Sequence, residues 1–261
     1  MKDADGNPLK EPGLFKAVKG IGWYIEEYGV AQISYNLTDI NISPLHEVFD
    51  KTCERSIARG MRVTGSELIG LVPKKVLIDA GKHFLKKQER STGIHESEII
   101  KIAIKTLGLD ELATFNPEER IIEYMLKSDA NKPLVNMSLT DFVNETASES
   151  PAPGGGSIAA YSGVMGVALG TMVANLSAHK RGWDDRWEAF SDYADKGQEI
   201  KDKLLAMVDE DTNAFNEIMN AFRLPKGTEP EKAARQNAIQ SATKYAVEVP
   251  LKVMRAALDS M

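Results

Sequence analysis

Apolar and polar residues alternate strictly in one stretch near the start of the chain. Between positions 30 and 37, Ala31, Ile33, Tyr35 and Leu37 are apolar and the residues between them are polar. An alternation with a period of two predicts a half-buried strand. The stretch at positions 18–25 predicts a second strand. Because Gly29 between them tolerates positive φ, we expect the two strands to form a hairpin.

Apolar residues at helical spacing follow the hairpin. They predict a helix that has Ser43 as its cap, Pro44 at its first position and Gly60 at its end. Residues 61–71 predict a third strand. Further helices are expected to begin at Pro73, Glu96 and Asn116. Strands mixed with helices in this way predict an α+β sandwich domain, in which helices cover one face of a sheet.

The pattern changes near residue 127. Apolar periodicity is absent between positions 127 and 137, and Pro133 cannot continue a helix, so we predict a linker between domains at 1–126 and 138–261. Only helical periodicity follows, over 139–147, 157–178, 183–222 and 229–261. The second domain is therefore predicted to be an all-α helical bundle. Since the helical pattern continues to Met261, we expect this domain to be incomplete at its C-terminus.

The composition limits the partners and surroundings that we expect. The net charge of −6 argues against nucleic acid, whose binding needs a basic face. The single cysteine, Cys53, allows no internal disulfide and fits a reducing, cytoplasmic location. Residues 158–178 carry no charge and are long enough to cross a membrane. Their many small and polar residues favour a helix packed inside a soluble bundle instead.

A glycine-rich run, Ser150-Pro-Ala-Pro-Gly-Gly-Gly-Ser157, precedes the uncharged helix and is the main candidate for a binding loop. Its glycines, Gly154, Gly155 and Gly156, allow the backbone to approach a ligand closely. Ser157 is expected to cap the helix, which leaves N–H groups free to bind a carboxylate, a phosphate or a polarised carbonyl. A plain turn into a buried helix is the alternative.

Two aspartates lie two positions apart on the next long helix. Asp211 falls in line with Leu204, Val208 and Phe215 at 4-3-4 spacing, in an apolar seam where a carboxylate is costly unless it is paired or functional. Asp209 lies about 200° round the helix from Asp211, so we expect it to flank the seam. The two carboxylates are therefore not expected to share one small site. One should be chemical and the other structural, and a solvated helix aspartate is the alternative for each.

Four segments of the second half occur together in one known family: 149–160, 205–215, Arg223-Leu-Pro-Lys226 and Val249-Pro-Leu-Lys252. From Ser138 to its end, the chain resembles the formimidoyltetrahydrofolate cyclodeaminase family. In the reaction that this resemblance implies, N10 of 5-formimidoyltetrahydrofolate attacks the formimidoyl carbon and ammonia leaves. A carboxylate moves the proton.

The same resemblance implies roles for individual residues. It assigns the catalytic role to Asp209, and Asp211 is the runner-up because of its place in the seam. The glycine run 154–157 is expected to position the pterin or the glutamate tail of the folate. Lys226 is expected to bind the anionic tail.

Segments of the first half resemble a second family: 20–25, 30–38, 64–73 and 120–124. They are similar to the C-terminal subdomain of glutamate formimidoyltransferase, and the bifunctional family joins the two parts in this order. The resemblance implies that Glu67 lines the folate cleft, while a solvated acid at a strand end is the alternative. The catalytic histidine of the transferase lies in an N-terminal subdomain that matches nothing here, so we expect a fragment.

Taken together, these resemblances imply a folate-dependent one-carbon enzyme of histidine degradation. Tetrahydrofolate, including its polyglutamylated forms, is the expected carrier, and formimidoylglutamate and glutamate are the other expected small molecules. No metal is expected, because no His, Cys and Asp cluster has ligand spacing. We expect a homo-oligomer through the helical domain. Methenyltetrahydrofolate cyclohydrolase and a non-catalytic folate-binding or assembly module are the alternatives.

Overall fold

The computed structural model of the protein describes residues 13–126 and 132–261. The chain divides into two compact units. The first unit comprises Met1–Phe84 and Glu96–Met125, and the second comprises Leu85–His95 and Leu126–Met261. Part of the expected linker, residues 127–131, lies outside the described residues. Within the described part of the expected linker, residues 132–137, Leu134 is buried in the core of the second unit.

The first unit begins with the expected hairpin. Strands β1 (Val18–Ile25) and β2 (Val30–Leu37) pair antiparallel, and Val18 lies opposite Leu37. Gly29 in the turn has a φ of 63°, a conformation that glycine adopts without a steric penalty. The alternation thus predicted the strands and the hairpin correctly, but the expected burial of the apolar face is not observed, since Ile33 is 50% exposed and Tyr35 is 37% exposed.

The third strand expected at 61–71 is wrong. Among the described residues the sheet has two strands, and the end of this segment contributes one isolated bridge, between Val72 and Ile121. Ser66 donates its N–H to the carbonyl of Gly108 and its hydroxyl to that of Leu107, so it is tied to the end of a helix. Gly70 has a φ of 85°, which interrupts an extended strand.

The described residues of the first unit form five helices around its core: α1 (Leu45–Ile57), α2 (Lys74–Lys87), α3 (Glu96–Leu107), α4 (Pro117–Arg120) and α5 (Ile122–Met125). Helix α1 begins one residue later than expected, since Pro44 is its N-cap and Ser43 makes no side-chain cap. The other predicted helix starts are confirmed to within a residue. Buried apolar residues of α2 and α3, such as Leu77, Ala80 and Ile100, form the core.

A pair of stacked histidines joins α1 to α2. The rings of His46 and His83 lie 4.4 Å apart between centroids, and His83 Nε2 is 2.7 Å from Asp50 Oδ2. His46 Nδ1 is buried and has no hydrogen-bond partner among the described residues. Burial lowers the pKa of His46, and the neighbouring His83 lowers it further, whereas Glu47, Asp79 and Asp50 act in the opposite direction.

This pair predicts that the first unit loses stability in mild acid. The folded state holds fewer protons on His46 than the unfolded chain does. The free energy of unfolding should therefore fall as the pH drops below 6.5, the ordinary value, toward the lowered pKa. Urea unfolding between pH 7.5 and 5, as trial conditions, measures this slope. His46→Gln should make the slope shallower, and an identical slope in parent and variant would contradict the prediction.

In the second unit, the part of the chain that the structure describes forms four further helices: α6 (Leu139–Thr146), α7 (Gly155–Ala178), α8 (Trp187–Arg223) and α9 (Glu229–Asp259). All four were expected, although α8 begins after a short 3₁₀ turn at Asp184–Arg186 and not at Trp183. Thr228 and Glu231 form a capping box at the start of α9. Helix α7 packs along α8, and α8 packs along α9. The described residues of this unit include no strand.

Helix α7 is the one described helix that is long and apolar enough to cross a membrane, by length and composition. One face packs in the unit through buried residues that include Val164, Val167 and Ala174. The opposite face exposes large apolar residues, namely Met165, Leu169, Met172, Val173 and Leu176. We call this set the exposed α7 face. Not every small residue of this helix is closely packed within the unit, because a Cβ on Gly166 or Gly170 would contact nothing within 4 Å.

Candidate functional site

The glycine run forms the entry to α7. Gly154 is the N-cap in an extended conformation, and the helix begins at Gly155. Ser157 is therefore inside the first turn and is not the cap that the sequence suggested. Its side chain is fully buried, and its hydroxyl donates to the carbonyl of Val208, at 2.8 Å. Ser157 thus fastens the start of α7 to the middle of α8.

Asp211 lies directly against this entry. Its Oδ2 accepts the N–H of Ser157 at 2.9 Å and lies 3.2 Å from the Ser157 hydroxyl. A Cβ on Gly156 would lie 2.1 Å from Asp211 Oδ1, so the carboxylate occupies the space that a side chain there would need. A carboxylate at a helix N-terminus is stabilised by the free N–H groups and the helix dipole. The anion that meets this N-terminus is therefore a residue of the same chain.

The expected apolar seam is confirmed only as far as Val208. Leu204 and Val208 are buried, together with Met207. Phe215 is 39% exposed, and Asp211 itself is half-buried beside the glycine run. The 4-3-4 spacing places the residues of the seam on one side of α8, but the part of the seam beyond Val208 does not face the core.

Asp209 is the more deeply buried of the two aspartates, at 4% exposure. Its Oδ1 accepts the N–H of Leu134 at 2.9 Å and its Oδ2 accepts the N–H of Val135 at 3.2 Å. Asp209 was expected to flank the apolar seam, and its burial arises because the segment before α6 packs over this side of α8. Asp209 and Asp211 contact different segments, as their angular separation predicted.

The remaining expected binding residues lie elsewhere. Lys226 is exposed in the loop after α8, and the helix from Asp211 to Arg223 alone spans about 18 Å. Glu67 is exposed in the extended segment of the first unit. The structure thus brings the glycine run together with Asp211, whereas Lys226 lies beyond the far end of α8.

Two contacts near the aspartates were not predicted from the sequence. Thr212 Oγ1 lies 3.3 Å from the Ser157 hydroxyl. Glu210 accepts hydrogen bonds from the Tyr245 hydroxyl at 3.2 Å and from Lys252 Nζ at 3.1 Å, which ties α8 to α9. Burial raises the pKa of Tyr245, and the Glu210 carboxylate raises it further. The Val249-Pro-Leu-Lys252 motif was the available signal for the second contact.

Across residues 13–126 and 132–261, no group of three or more His, Cys, Asp or Glu side chains is arranged to hold a metal ion. The candidate site consists of the Asp211 carboxylate, the Ser157 hydroxyl and the main-chain N–H groups at the start of α7.

The contact between Gly156 and Asp211 gives a direct prediction. In Gly156→Ala the new methyl must displace the carboxylate, which breaks its hydrogen bond to Ser157 and should lower the free energy of unfolding by about 1–3 kcal/mol. Gly155→Ala is the matched control, because a Cβ there would contact nothing within 4 Å. Urea unfolding of both variants measures the difference in the free energy of unfolding. Equal stability of Gly156→Ala and Gly155→Ala would show that the Asp211 carboxylate does not pack tightly against Gly156.

These features define the class of protein: a chain of two units whose helical second unit has an aspartate facing a glycine-led helix start. Residues 3–127 match the family model described as formiminotransferase domain. Residues 138–261 match the model described as formiminotransferase-cyclodeaminase.

Individual relatives agree with these matches. A formimidoyltransferase-cyclodeaminase of Gallus gallus is 43% identical over 246 residues, which are 94% of this chain and 45% of the relative. A methenyltetrahydrofolate cyclohydrolase of Methylorubrum extorquens is 40% identical over 120 residues, 46% of this chain and 58% of the relative. A solved formiminotetrahydrofolate cyclodeaminase from Thermotoga maritima is 31% identical, with a TM-score of 0.40, over 46% of this chain and 56% of that chain.

The chain belongs to the formimidoyltransferase-cyclodeaminase family, as the sequence motifs implied. Two family models account for residues 3–127 and 138–261 in the order that the resemblance predicted. The chain spans about half the length of the relatives that bear both activities in their name, 45% of the chicken protein and 46% of the mouse protein.

Proposed function

We propose that this chain is part of a folate-dependent one-carbon enzyme of histidine degradation. Its second domain, residues 138–261, is proposed to act in the cyclisation of 5-formimidoyltetrahydrofolate to 5,10-methenyltetrahydrofolate with release of ammonia. Residues 1–126 are proposed to be the C-terminal subdomain of a glutamate formimidoyltransferase, and 127–137 the linker. The observation that carries the proposal is the half-buried Asp211 carboxylate against the glycine run.

The chemistry explains why a carboxylate suits this place. In the protonated substrate, N10 attacks the formimidoyl carbon, so an N10–C bond forms and a C–N bond to the terminal nitrogen later breaks. The proton on N10 moves to that nitrogen, which leaves as ammonia, and nothing is oxidised or reduced. The cationic amidine presents N–H donors, which match a carboxylate acceptor. We therefore propose that Asp211 holds the amidine and transfers the proton.

The contacts of Asp211 favour it over Asp209 for this role. Both oxygens of Asp209 accept main-chain N–H groups in a buried place. Both contacts between Ser157 and the Asp211 carboxylate are made at Oδ2, and Oδ1 receives no hydrogen bond from the described residues. We propose that Asp211 is the proton carrier and that Asp209 positions the segment at 134–135. This reverses the order of the two that the family resemblance implied.

Other residues of the expected site keep proposed roles. The N–H groups of Gly155 and Gly156 have no partner within α7 by virtue of their place in its first turn, and we propose that they bind a polar group of the pterin. Gly154 is proposed to allow the main chain to approach the ligand closely. Lys226 is proposed to bind the anionic glutamate tail away from Asp211, and Glu67 to line the folate cleft of the transferase part.

Two further features are proposed. The exposed α7 face is proposed to join copies of the chain in a cytoplasmic homo-oligomer. Analytical ultracentrifugation tests this proposal, and a monomer at micromolar concentration would contradict it.

The hairpin of the first unit exposes the apolar residues Ile21, Tyr24 and Ile33. We propose that it belongs to the larger sheet of an α+β sandwich.

One assay separates the candidate activities. The chain is incubated with 5-formimidoyltetrahydrofolate and ammonia is measured, and in parallel with 5,10-methenyltetrahydrofolate, whose hydrolysis is followed by absorbance. We expect ammonia release to exceed the hydrolysis rate. Faster hydrolysis would favour a cyclohydrolase, which the 40% identical bacterial relative makes the second candidate. Folate binding without either reaction would indicate a binding module.

A further inference from the structure

One segment of the chain lies in a place that its sequence position does not suggest. Residues 88–95 connect α2 to α3, yet these residues and the end of α2, Leu85–His95, belong to the second unit. Within it, Ser91 and Thr92 are 1% and 2% exposed, and Gly93 is buried as well. Small residues of this kind are seldom buried in a connecting loop unless their polar groups are satisfied.

The polar groups of this segment are bonded to α8. The main-chain N–H of Thr92 donates to the Ser191 hydroxyl oxygen, with 2.9 Å between the nitrogen and Oγ. The Thr92 hydroxyl lies 3.1 Å from the same Ser191 oxygen and donates to Asp195 Oδ2. Thr92 thus makes three contacts with two residues that lie one helical turn apart.

Gly93 is held by both α7 and α8. Its carbonyl accepts the side-chain amides of Asn175 at 2.9 Å and Gln198 at 3.1 Å. A Cβ on Gly93 would lie 2.3 Å from the Cβ of Ala194, which is itself fully buried. Only glycine fits at this distance from a helix. The surface on the two helices is therefore matched to the segment in both shape and hydrogen bonding.

We infer that Asn175, Ser191, Ala194, Asp195 and Gln198 form a docking surface whose occupant is the chain's own segment at 91–93. The helical unit is completed by residues that precede it in sequence by more than thirty positions and that fall inside the stretch matched by the formiminotransferase model, 3–127. The packing of α7 on α8 at this end depends on that segment. A domain boundary placed at the linker, residues 127–137, would separate the segment at 91–93 from the helical unit and leave the docking surface uncovered.

The inference is independent of the proposed reaction. Asn175 lies 18 residues beyond Ser157 on α7, about 27 Å along the helix. A change at Gly93 is therefore remote from Asp211, and the test needs no turnover.

Hydrogen exchange of the full chain, followed by mass spectrometry, tests it. In Gly93→Ala the methyl expels the segment, and the amides of 171–178 and 187–198 should exchange at least about tenfold faster than in the parent. Gly170→Ala, on α7 with open space around it, is the matched control and should leave those rates unchanged or slower. Equal exchange in Gly93→Ala and the parent would overturn the inference.

A second measurement decides the case if Gly93→Ala does not fold. Thr92→Val keeps the shape of the side chain but removes its hydroxyl, and Ser191→Ala removes the partner. If the segment docks as described, the two variants lower the melting temperature by several degrees each and the double variant by less than their sum. Strictly additive shifts would show that Thr92 and Ser191 are not coupled and would overturn the inference.

Discussion

Asp209→Asn is expected to lower the free energy of unfolding by about 2–3 kcal/mol, the range for leaving a buried partner of a charged hydrogen bond unsatisfied. The Asp209 carboxylate is buried and accepts main-chain N–H groups with both oxygens. An asparagine retains one acceptor and turns an N–H₂ group toward the second main-chain N–H, so two donors face each other. Urea unfolding monitored by circular dichroism gives the difference.

The matched control for this variant is Asp202→Asn on the same helix. The Asp202 side chain is 69% exposed and forms an ion pair with its neighbour Lys201. Exposed substitutions of this kind change stability by about 0.5 kcal/mol or less. If Asp209→Asn were as stable as Asp202→Asn, Asp209 would not fasten the segment before α6.

The second large effect is expected at Asp211. Asp211→Asn should lower ammonia release from 5-formimidoyltetrahydrofolate by at least about a hundredfold, the scale of a general acid or base. The fold should survive, because the amide oxygen of asparagine still accepts the N–H of Ser157. The rate constant at saturating substrate is measured together with the melting temperature of each variant.

Glu217→Gln serves as the control for the charge change, since Glu217 is an exposed carboxylate further along α8. It should keep the parent rate. If Asp209→Asn lost turnover at unchanged stability while Asp211→Asn kept it, the family-based assignment of Asp209 would hold and the one proposed here would be wrong.

The sequence predicted the helices and strands of this fold better than the contacts between them. Alternation at 30–37 and the helical stretches after 138 depend on local spacing, and all appear in the structure. The strand expected at 61–71 also had apolar residues, but Ile69 is 79% exposed and Ser66 is bonded to the end of α3. Local spacing contains no information on whether a neighbouring strand is present to receive a ladder of hydrogen bonds.

The candidate site was predicted in part for the same reason. The glycine run and the acidic pair were both identified, and the structure brings Gly156 to Asp211 across 55 positions of sequence. Helical periodicity gives the angle between Asp209 and Asp211 correctly. It does not reveal that the segment at 134–135 covers the Asp209 side, because that contact is long-range. The docking of residues 91–93 on α8 was not predicted for the same reason.

Single-turnover ammonia release, with enzyme in excess over 5-formimidoyltetrahydrofolate, tests the central claim most directly because it isolates the chemical step from product release. The parent, Asp209→Asn and Asp211→Asn are compared at a temperature where all three are folded. The account predicts that Asp211→Asn alone loses at least about two orders of magnitude in rate. An Asp211→Asn rate equal to that of the parent would contradict it.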